Sequence, residues 1–418
     1  MTTFPDAIRR LRTSPGIVLG LGQNGLATVR ALGRRGVPVI GLDARLEQPT
    51  AQSRYCIPVA CGDVRTEDGL LGTLLDLGTV LPEKGVLFPS GDLNLLVVSE
   101  HRARLAPYYH FALPDHEVVQ LILDKQAFYA WAERHGFPIP RTHVVGSEGP
   151  GALAWEIRYP ALVKPHLRDA GWRGKHDVKL YEVHSPDELL RTFGVLAVQH
   201  PQLLIQECVP GPEDQLVFSI TYLDDELDPL GMFTGRKLRQ FPPRFGTSSM
   251  AQSRWDPEVA GLSLAVLRAL RYRGYGSVEF KRDPRDNTLR IIEVTGRTWY
   301  PHGLATASGV NLPYLAYCDL LELPVERPQG FVEGLKWIDE DRDLRAALRH
   351  RAEGRFAVGA WIASYRGRRT WAISAVDDPR PAVHLAAGWA QSVARAAMPR
   401  RRRPAPKSYA SPRSERDR

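Results

Sequence analysis

The chain has 418 residues, 43% of them hydrophobic and 24% charged, which allows two or three domains with substantial cores and excludes a disordered or fibrous protein. Its formal net charge is +8, but residues 399–418 carry eight Lys and Arg against Glu415 and Asp417. The body is therefore close to neutral, and the charge does not argue for a nucleic-acid-binding fold.

Cys56, Cys61, Cys208 and Cys318 form no CxxC and no zinc spacing. A disulfide framework is not expected, and a reducing cytosol fits. No stretch is long and apolar enough for a membrane span, and the N-terminus lacks a basic region followed by an apolar run. A soluble, cytoplasmic protein is expected.

After a short amphipathic lead, Gly16–Arg30 reads as a strand, a glycine turn and a helix, and Val37–Asp43 as the next strand. Gly20, Gly22 and Gly25 match GxGxxG, and Asp43 stands about where a ribose partner would. The pattern has two readings: an NAD(P) site, or glycines that let a helix pack closely on a strand. A strand near Arg54–Ala60, a helix near Glu67–Leu77, a strand from Gly85 and a helix over Asp92–Leu105 extend the α/β alternation to about residue 115.

Asp124 is positioned to cap a helix from Lys125 to Gly136, with Phe128, Trp131 and Ala132 as its apolar stripe. Pro138 and Pro140 follow in an extended connection. Tyr159–Pro165 predicts a short strand carrying Lys164 among apolar residues. Gly171, Gly174 and Lys175 then lie in a basic glycine-rich loop, before a return strand over Asp177–Val183. Such a loop wraps phosphates with backbone N–H groups, or is a plain hairpin turn. Leu203–Val209 is expected to be a buried strand, with Phe218–Leu223 and Pro229–Thr234 continuing the same sheet. The segment Gly235–Gly246 gathers Arg236, Lys237, Arg239 and Arg244, which favours a partner bearing phosphate or carboxylate; its other reading is a solvated basic strand.

Glu258–Tyr272 reads as a helix leading into a β-hairpin over 274–299. Val278 and Phe280 alternate with Ser277, Glu279 and Lys281, and Asp283–Asn287 is dense in turn formers. Folding about Asp286 puts Glu279 opposite Glu293, with Thr295 and Arg297 following on the face of Glu293. Two carboxylates across a strand pair repel, so they need a cation, and Mg²⁺ bridging to nucleotide phosphates suits them; the alternative is a pair of solvated edge residues. Beyond it come a helical segment from Pro301 toward Leu320, strands at Leu335–Ile338 and Gly359–Ser364, and a helix around Arg342–Arg351. The Arg-, Pro- and Ser-rich remainder from about Ala396 has no periodicity and is expected to be disordered.

The order of these parts over residues 15–330 resembles the ATP-grasp superfamily. Those parts are Asp124-Lys125, Tyr-Pro-Ala-Leu-Val-Lys164-Pro, the glycine-rich loop, Gln-Glu-Cys-Val, and a hairpin ending Glu-Val-Thr-Gly-Arg. Through Gly-Arg-Lys-Leu-Arg-Gln-Phe-Pro-Pro-Arg-Phe-Gly the chain is most similar to bacterial carboxylate–amine ligases of the D-aspartate ligase type. The resemblance implies an α/β Rossmann-like domain at 1–115 and an ATP-grasp domain at 116–330 with a lid at about 159–225. An α/β extension at 331–395 and a basic tail at 396–418 follow.

The resemblance also implies a chemistry. ATP phosphorylates a small carboxylic acid, and an amine then displaces phosphate from the acylphosphate, with Mg²⁺, or Mn²⁺ in its place. Lys125 and Lys164 would hold the nucleotide, Gly171–Lys175 would form the lid, and Glu207, Cys208 and Val209 the adenine hinge. Glu213 or Asp214 would take a ribose hydroxyl. Glu279 and Glu293 would be metal ligands, and Thr295 would stand at a third metal position where the family has Asn. Arg297 would steady the transferring phosphoryl group, and Lys237 and Arg239 the acid, for which the basic segment favours extra negative charge. Thr295→Asn should then tighten magnesium binding. Related ligases are often homodimers, and neither membrane nor nucleic-acid partners are implied. Against this stand an NAD(P)-linked oxidoreductase and a nucleotide-binding protein that has lost turnover.

Overall fold

Gly16–Leu19 (β1) is buried at every position, as a strand covered on both faces must be. In the computed structural model, which describes residues 4–165, 180–200, 202–352 and 357–397, it is the middle of a five-stranded parallel sheet. Val39–Asp43 (β2) and Ile57–Ala60 (β3) lie on one side, and Gly85–Pro89 (β4) and Tyr109–His110 (β5) on the other, in the doubly wound order 3-2-1-4-5. The glycine turn after β1 serves packing. A Cβ on Gly25 would stand 2.1 Å from the Gly20 carbonyl oxygen. The Asp43 carboxylate accepts from the Leu21 N–H at 2.7 Å and the Arg45 N–H at 2.9 Å, so it staples the turn to β2.

Asp124 accepts from the Ala127 N–H at 3.0 Å and caps the helix Lys125–Arg134, which buries Phe128, Trp131 and Ala132. The chain then builds a four-stranded antiparallel sheet in the order 6-9-7-8 from Thr142–Val145 (β6), Ala161–Pro165 (β7), Tyr181–Val183 (β8) and Leu203–Glu207 (β9). The sequence reading missed β6. It also continued this sheet past residue 209, and there the structure corrects it. Gly211, at φ +101, turns the chain out between Pro210 and Pro212. Leu216–Leu223 (β10) and Pro229–Phe241 (β11) belong to a different sheet.

That sheet has seven strands in the order 14-13-10-11-12-15-16, adding Thr247–Ser253 (β12), Gly274–Arg282 (β13), Leu289–Thr295 (β14), Lys336–Ile338 (β15) and Arg369–Trp371 (β16). The C-terminal segment thus extends the central sheet. Phe218, Phe233, Trp299 and Trp337 join one hydrophobic core with Val18 of β1, Leu21 of the turn after it and Val29 of the helix Gln23–Gly33. Gly359–Ser364 is not a strand: Val358–Ser364 is a helix. Helical spacing brings Trp361 and Tyr365 onto one face, where both donate to the buried Asp343 carboxylate.

The last described element, the helix Arg380–Ala397, is preceded by the buried Asp378. This carboxylate accepts from Arg30 Nε at 2.9 Å, Ser53 Oγ at 2.7 Å and the Arg54 N–H at 2.9 Å. The four cysteines are free, and no helix among the described residues is long and apolar enough to cross a membrane. Gly171, Gly174, Lys175 and the tail beyond residue 397 lie outside the described residues.

Candidate active site

A cavity of about 500 Å³ is lined from all parts of the fold. The N-terminal sheet contributes Asn24 and Ser90–Asp92, and the four-stranded sheet Leu162, Lys164 and Gln206–Val209. The central sheet adds Lys237, Glu279, Glu293 and Arg297, and Lys125 and Arg342 complete the wall. Lys125, Lys164, Glu207, Cys208, Val209, Lys237, Glu279, Glu293 and Arg297 all line this cavity.

Lys164 stands on β7 with its side chain buried. Its ammonium donates to Gln206 Oε1 at 2.9 Å and lies 4.8 Å from the centre of the Tyr129 ring. Burial depresses its pKa from 10.5 to about 8, a shift that Glu293 partly opposes. Tyr129 is pinned in turn, donating to the Ile292 carbonyl of β14 at 2.8 Å. Further along the hinge, the Cys208 N–H is engaged by the Pro160 carbonyl at 2.9 Å and the Glu207 N–H by the Arg141 carbonyl at 2.9 Å.

Glu279 and Glu293 are directly opposed in the β13–β14 register, as the alternation predicted. The cation beside them is Lys237, on β11 of the same sheet, whose Nζ lies 2.8 and 2.7 Å from the two oxygens of Glu279 and 5.8 Å from the centre of the Trp299 ring. Two carboxylates paired across a strand and facing one cavity fit a hard divalent ion. No group of three or more His, Cys, Asp or Glu gathers there among the described residues, so phosphate and water oxygens would complete such a shell. Arg297 is aimed by Asp92, whose Oδ1 accepts from its Nε at 2.7 Å.

Four expected site residues lie elsewhere. Arg239 does not line the cavity: its Nε donates to Asp343 at 2.7 Å and its Nη2 to Ser364 Oγ at 2.9 Å. The cause is a bulge at Leu238, which has no partner in the β11–β12 register, so Lys237 and Gln240 share the cavity face and Arg239 turns away. Glu213 does not line the cavity, and its two oxygens accept from the N–H groups of Gln240 (3.0 Å) and Arg244 (2.6 Å). Asp214 lies 4.0 Å from Arg236, also off the cavity. Thr295 is buried and is not among the residues that line the cavity.

The sequence reading missed Asp92, Gln206, Tyr300 and Arg342. Gln206 was legible from strand alternation beside Lys164, whereas the others join the site through long-range packing that no local pattern announces.

No family model matches the chain. It is 22% identical over 240 residues to D-aspartate ligase of Enterococcus faecium, a match covering 55% of this chain and 57% of the relative. The chain thus spans little more than half the length of that relative. Its fold is that of biotin carboxylase from Campylobacter jejuni, with a TM-score of 0.60 and 15% identity over 79% of this chain and 75% of that one. The biotin carboxylase domain of Hydrogenobacter thermophilus 2-oxoglutarate carboxylase, a dimer in complex with MgADP and bicarbonate, superposes with a TM-score of 0.57 and 18% identity, covering 77% and 72%. The chain thus shares the fold of these carboxylases and is similar in sequence to D-aspartate ligase over about half its length.

Proposed function

We propose that the protein is an ATP-dependent carboxylate–amine ligase. The observation that carries this reading is the convergence of Lys125, Lys164, Glu279, Glu293 and Arg297 on one cavity, flanked by the hinge Glu207–Val209. The likeness to D-aspartate ligase supports it at the level of reaction class.

The chemistry is phosphoryl transfer followed by acyl transfer. A carboxylate oxygen of the acid attacks the γ-phosphorus and ADP leaves. The amine nitrogen then attacks the carbonyl carbon, phosphate leaves, and the nitrogen loses a proton. Such steps need positioning and charge neutralisation more than a dedicated acid or base. Lys125 and Lys164 would neutralise nucleotide phosphates, and Arg297, held by Asp92, the transferring group. Glu279 and Glu293 would hold Mg²⁺, which would supply positive charge to offset that of the phosphates. Lys237 must give up Glu279 for this and becomes available to the acid. Mn²⁺ in place of Mg²⁺, a homodimeric assembly and a cytoplasmic location belong to the same proposal.

Thermal shift with Mg-ATP, and separately with NAD(P)H, tests the reading. A ligand at about 100 times its Kd stabilises a fold by roughly 2.7 kcal/mol. Mg-ATP should stabilise wild type and not Lys164→Ala, and suitable acid–amine pairs should release ADP. A shift with NAD(P)H alone overturns the reading, and ATP binding with no ADP release from any pair leaves a nucleotide-binding protein without turnover.

A further inference from the structure

A second cavity, of about 420 Å³, has the size of an ordinary small-molecule site. Pro140, Glu207 and Val209 line both cavities, so the two meet at the hinge. Strand alternation sets which groups face the second one. On β9, Gln206 turns to Lys164 in the first cavity, whereas Leu203 and Ile205 pack in a core with Leu189 and Phe193. Glu207 follows the face of Leu203 and Ile205. In the β6–β9 register Thr142 lies opposite Gln206 and accepts a hydrogen bond from it. The Glu207 N–H meets the Arg141 carbonyl at 2.9 Å one step further on, so Arg141 stands opposite Glu207.

The lining holds four acids, Glu133, Glu207, Asp283 and Asp286, and four arginines, Arg141, Arg158, Arg285 and Arg290. Half of them are matched. Arg285 grips the buried Asp283 through Nε at 2.8 Å and Nη2 at 2.5 Å, and Arg290 pairs with Asp286. Among the described residues, the side chains of Glu133, Arg141, Arg158 and Glu207 make no hydrogen bond and no ion pair. Glu207 is only 8% exposed, and a carboxylate that far from water needs a partner. A simple anion entering here would meet Glu133 and Glu207, and a simple cation would meet Arg141 and Arg158. A ligand that carries both signs a few bonds apart satisfies both sets, with its carboxylate on a guanidinium fork.

We propose that this second cavity binds a small zwitterion, its ammonium on Glu207 and its carboxylate on Arg141 and Arg158, and that occupancy is transmitted to the first cavity through Glu207–Val209. The site is apart from the one where the reaction is placed, and it does not depend on the ligase reading.

The test is calorimetric titration of the full chain with glycine, β-alanine and 4-aminobutyrate, which step the distance between the two charges, against propionate and ethylamine. At least one zwitterion should bind about tenfold more tightly than either singly charged probe. Arg141→Gln and Glu207→Gln should each abolish that preference, and Arg158→Gln should reduce it. Arg297→Ala, in the first cavity, should leave it within about twofold, and melting temperatures report that the variants fold. Saturating zwitterion should change the MgADP affinity of wild type by at least about threefold, with the reciprocal change in zwitterion affinity, and neither change should appear in Arg141→Gln. No preference for zwitterions, or one that survives both Arg141→Gln and Glu207→Gln, overturns the site. A preference lost in Arg297→Ala moves the ligand to the first cavity and overturns it as well. Binding that leaves MgADP affinity unchanged overturns the transmission.

Discussion

Lys237 bridges both oxygens of Glu279, at 2.8 and 2.7 Å, and both residues line the cavity. Both side chains are buried, so each depends on the other. Removing one partner of such a pair leaves an uncompensated charge, at a cost of about 3–5 kcal/mol. Glu279→Gln should therefore destabilise the free protein by that order, measured by urea unfolding. Lys237→Met should instead free Glu279. Its affinity for Mn²⁺ without nucleotide, read by electron paramagnetic resonance, should rise severalfold while ADP release falls. Unchanged Mn²⁺ affinity would show that the pair does not compete with metal.

Lys164 predicts a pH dependence of definite sign. Its pKa is about 8 in the fold and 10.5 when free, so between these values the unfolded chain binds the extra proton. The cost of burying this ammonium is fully present below pH 8 and is relieved as pH rises through the window toward 10.5. Relative to Lys164→Met, wild type should gain stability across that window. Mg-ATP affinity should move the other way, weakening above pH 8 as the ammonium is lost, while Lys164→Arg shows no such fall. Parallel stability profiles for wild type and Lys164→Met would refute the assignment.

Arg239 tests the corrected position of β11. Arg239→Met leaves Asp343 buried with hydrogen-bond donors but no cation, and should cost about 3 kcal/mol, at the lower end for a broken buried pair. MgADP affinity in the folded fraction should stay within twofold of wild type. A large loss of nucleotide binding with unchanged stability would return Arg239 to the site.

Thr295 makes a contrary prediction to the one drawn from the family pattern. Its side chain is buried off the cavity, so Thr295→Val should leave the Mg²⁺ dependence of nucleotide binding within twofold. A tenfold weakening would mean that the hydroxyl reaches the metal after all.

Gly25 separates the two readings of the glycine turn. Gly25→Ala drives a methyl into the Gly20 carbonyl and should destabilise the fold by about 1–3 kcal/mol. NAD(P)H at millimolar concentration should leave the melting temperature of wild type unchanged. Stabilisation by the dinucleotide would reverse that conclusion.

What was legible in the sequence was local. Alternation and a turn rich in Asp, Pro and Asn set the Glu279–Glu293 register, and Asp124 announced its own cap, because each signal lies within a few residues of its consequence. The bulge at Leu238 carries no such signal, and it turned Arg239 away from the face that strict alternation gives it. Ala-Val-Gly-Ala-Trp-Ile-Ala-Ser reads equally well as a strand, and only the distant Asp343 selects the helix that satisfies Trp361 and Tyr365. Tyr300 and Arg342 are 42 residues apart and reach the cavity through β15, whose pairing with β12 is a tertiary fact.

The Arg30–Asp378 pair has a consequence for the order of events during synthesis. Arg30 lies in the helix Gln23–Gly33 that follows β1, yet the carboxylate that neutralises it is 348 residues downstream. An N-terminal domain emerging from the ribosome must wait for nearly the whole chain with a cation at a site that the finished fold closes off. Until residue 378 arrives, the helix can remain only loosely seated. The segment carrying Asp378 therefore acts as a latch, and the earliest domain to be made is among the last to become rigid.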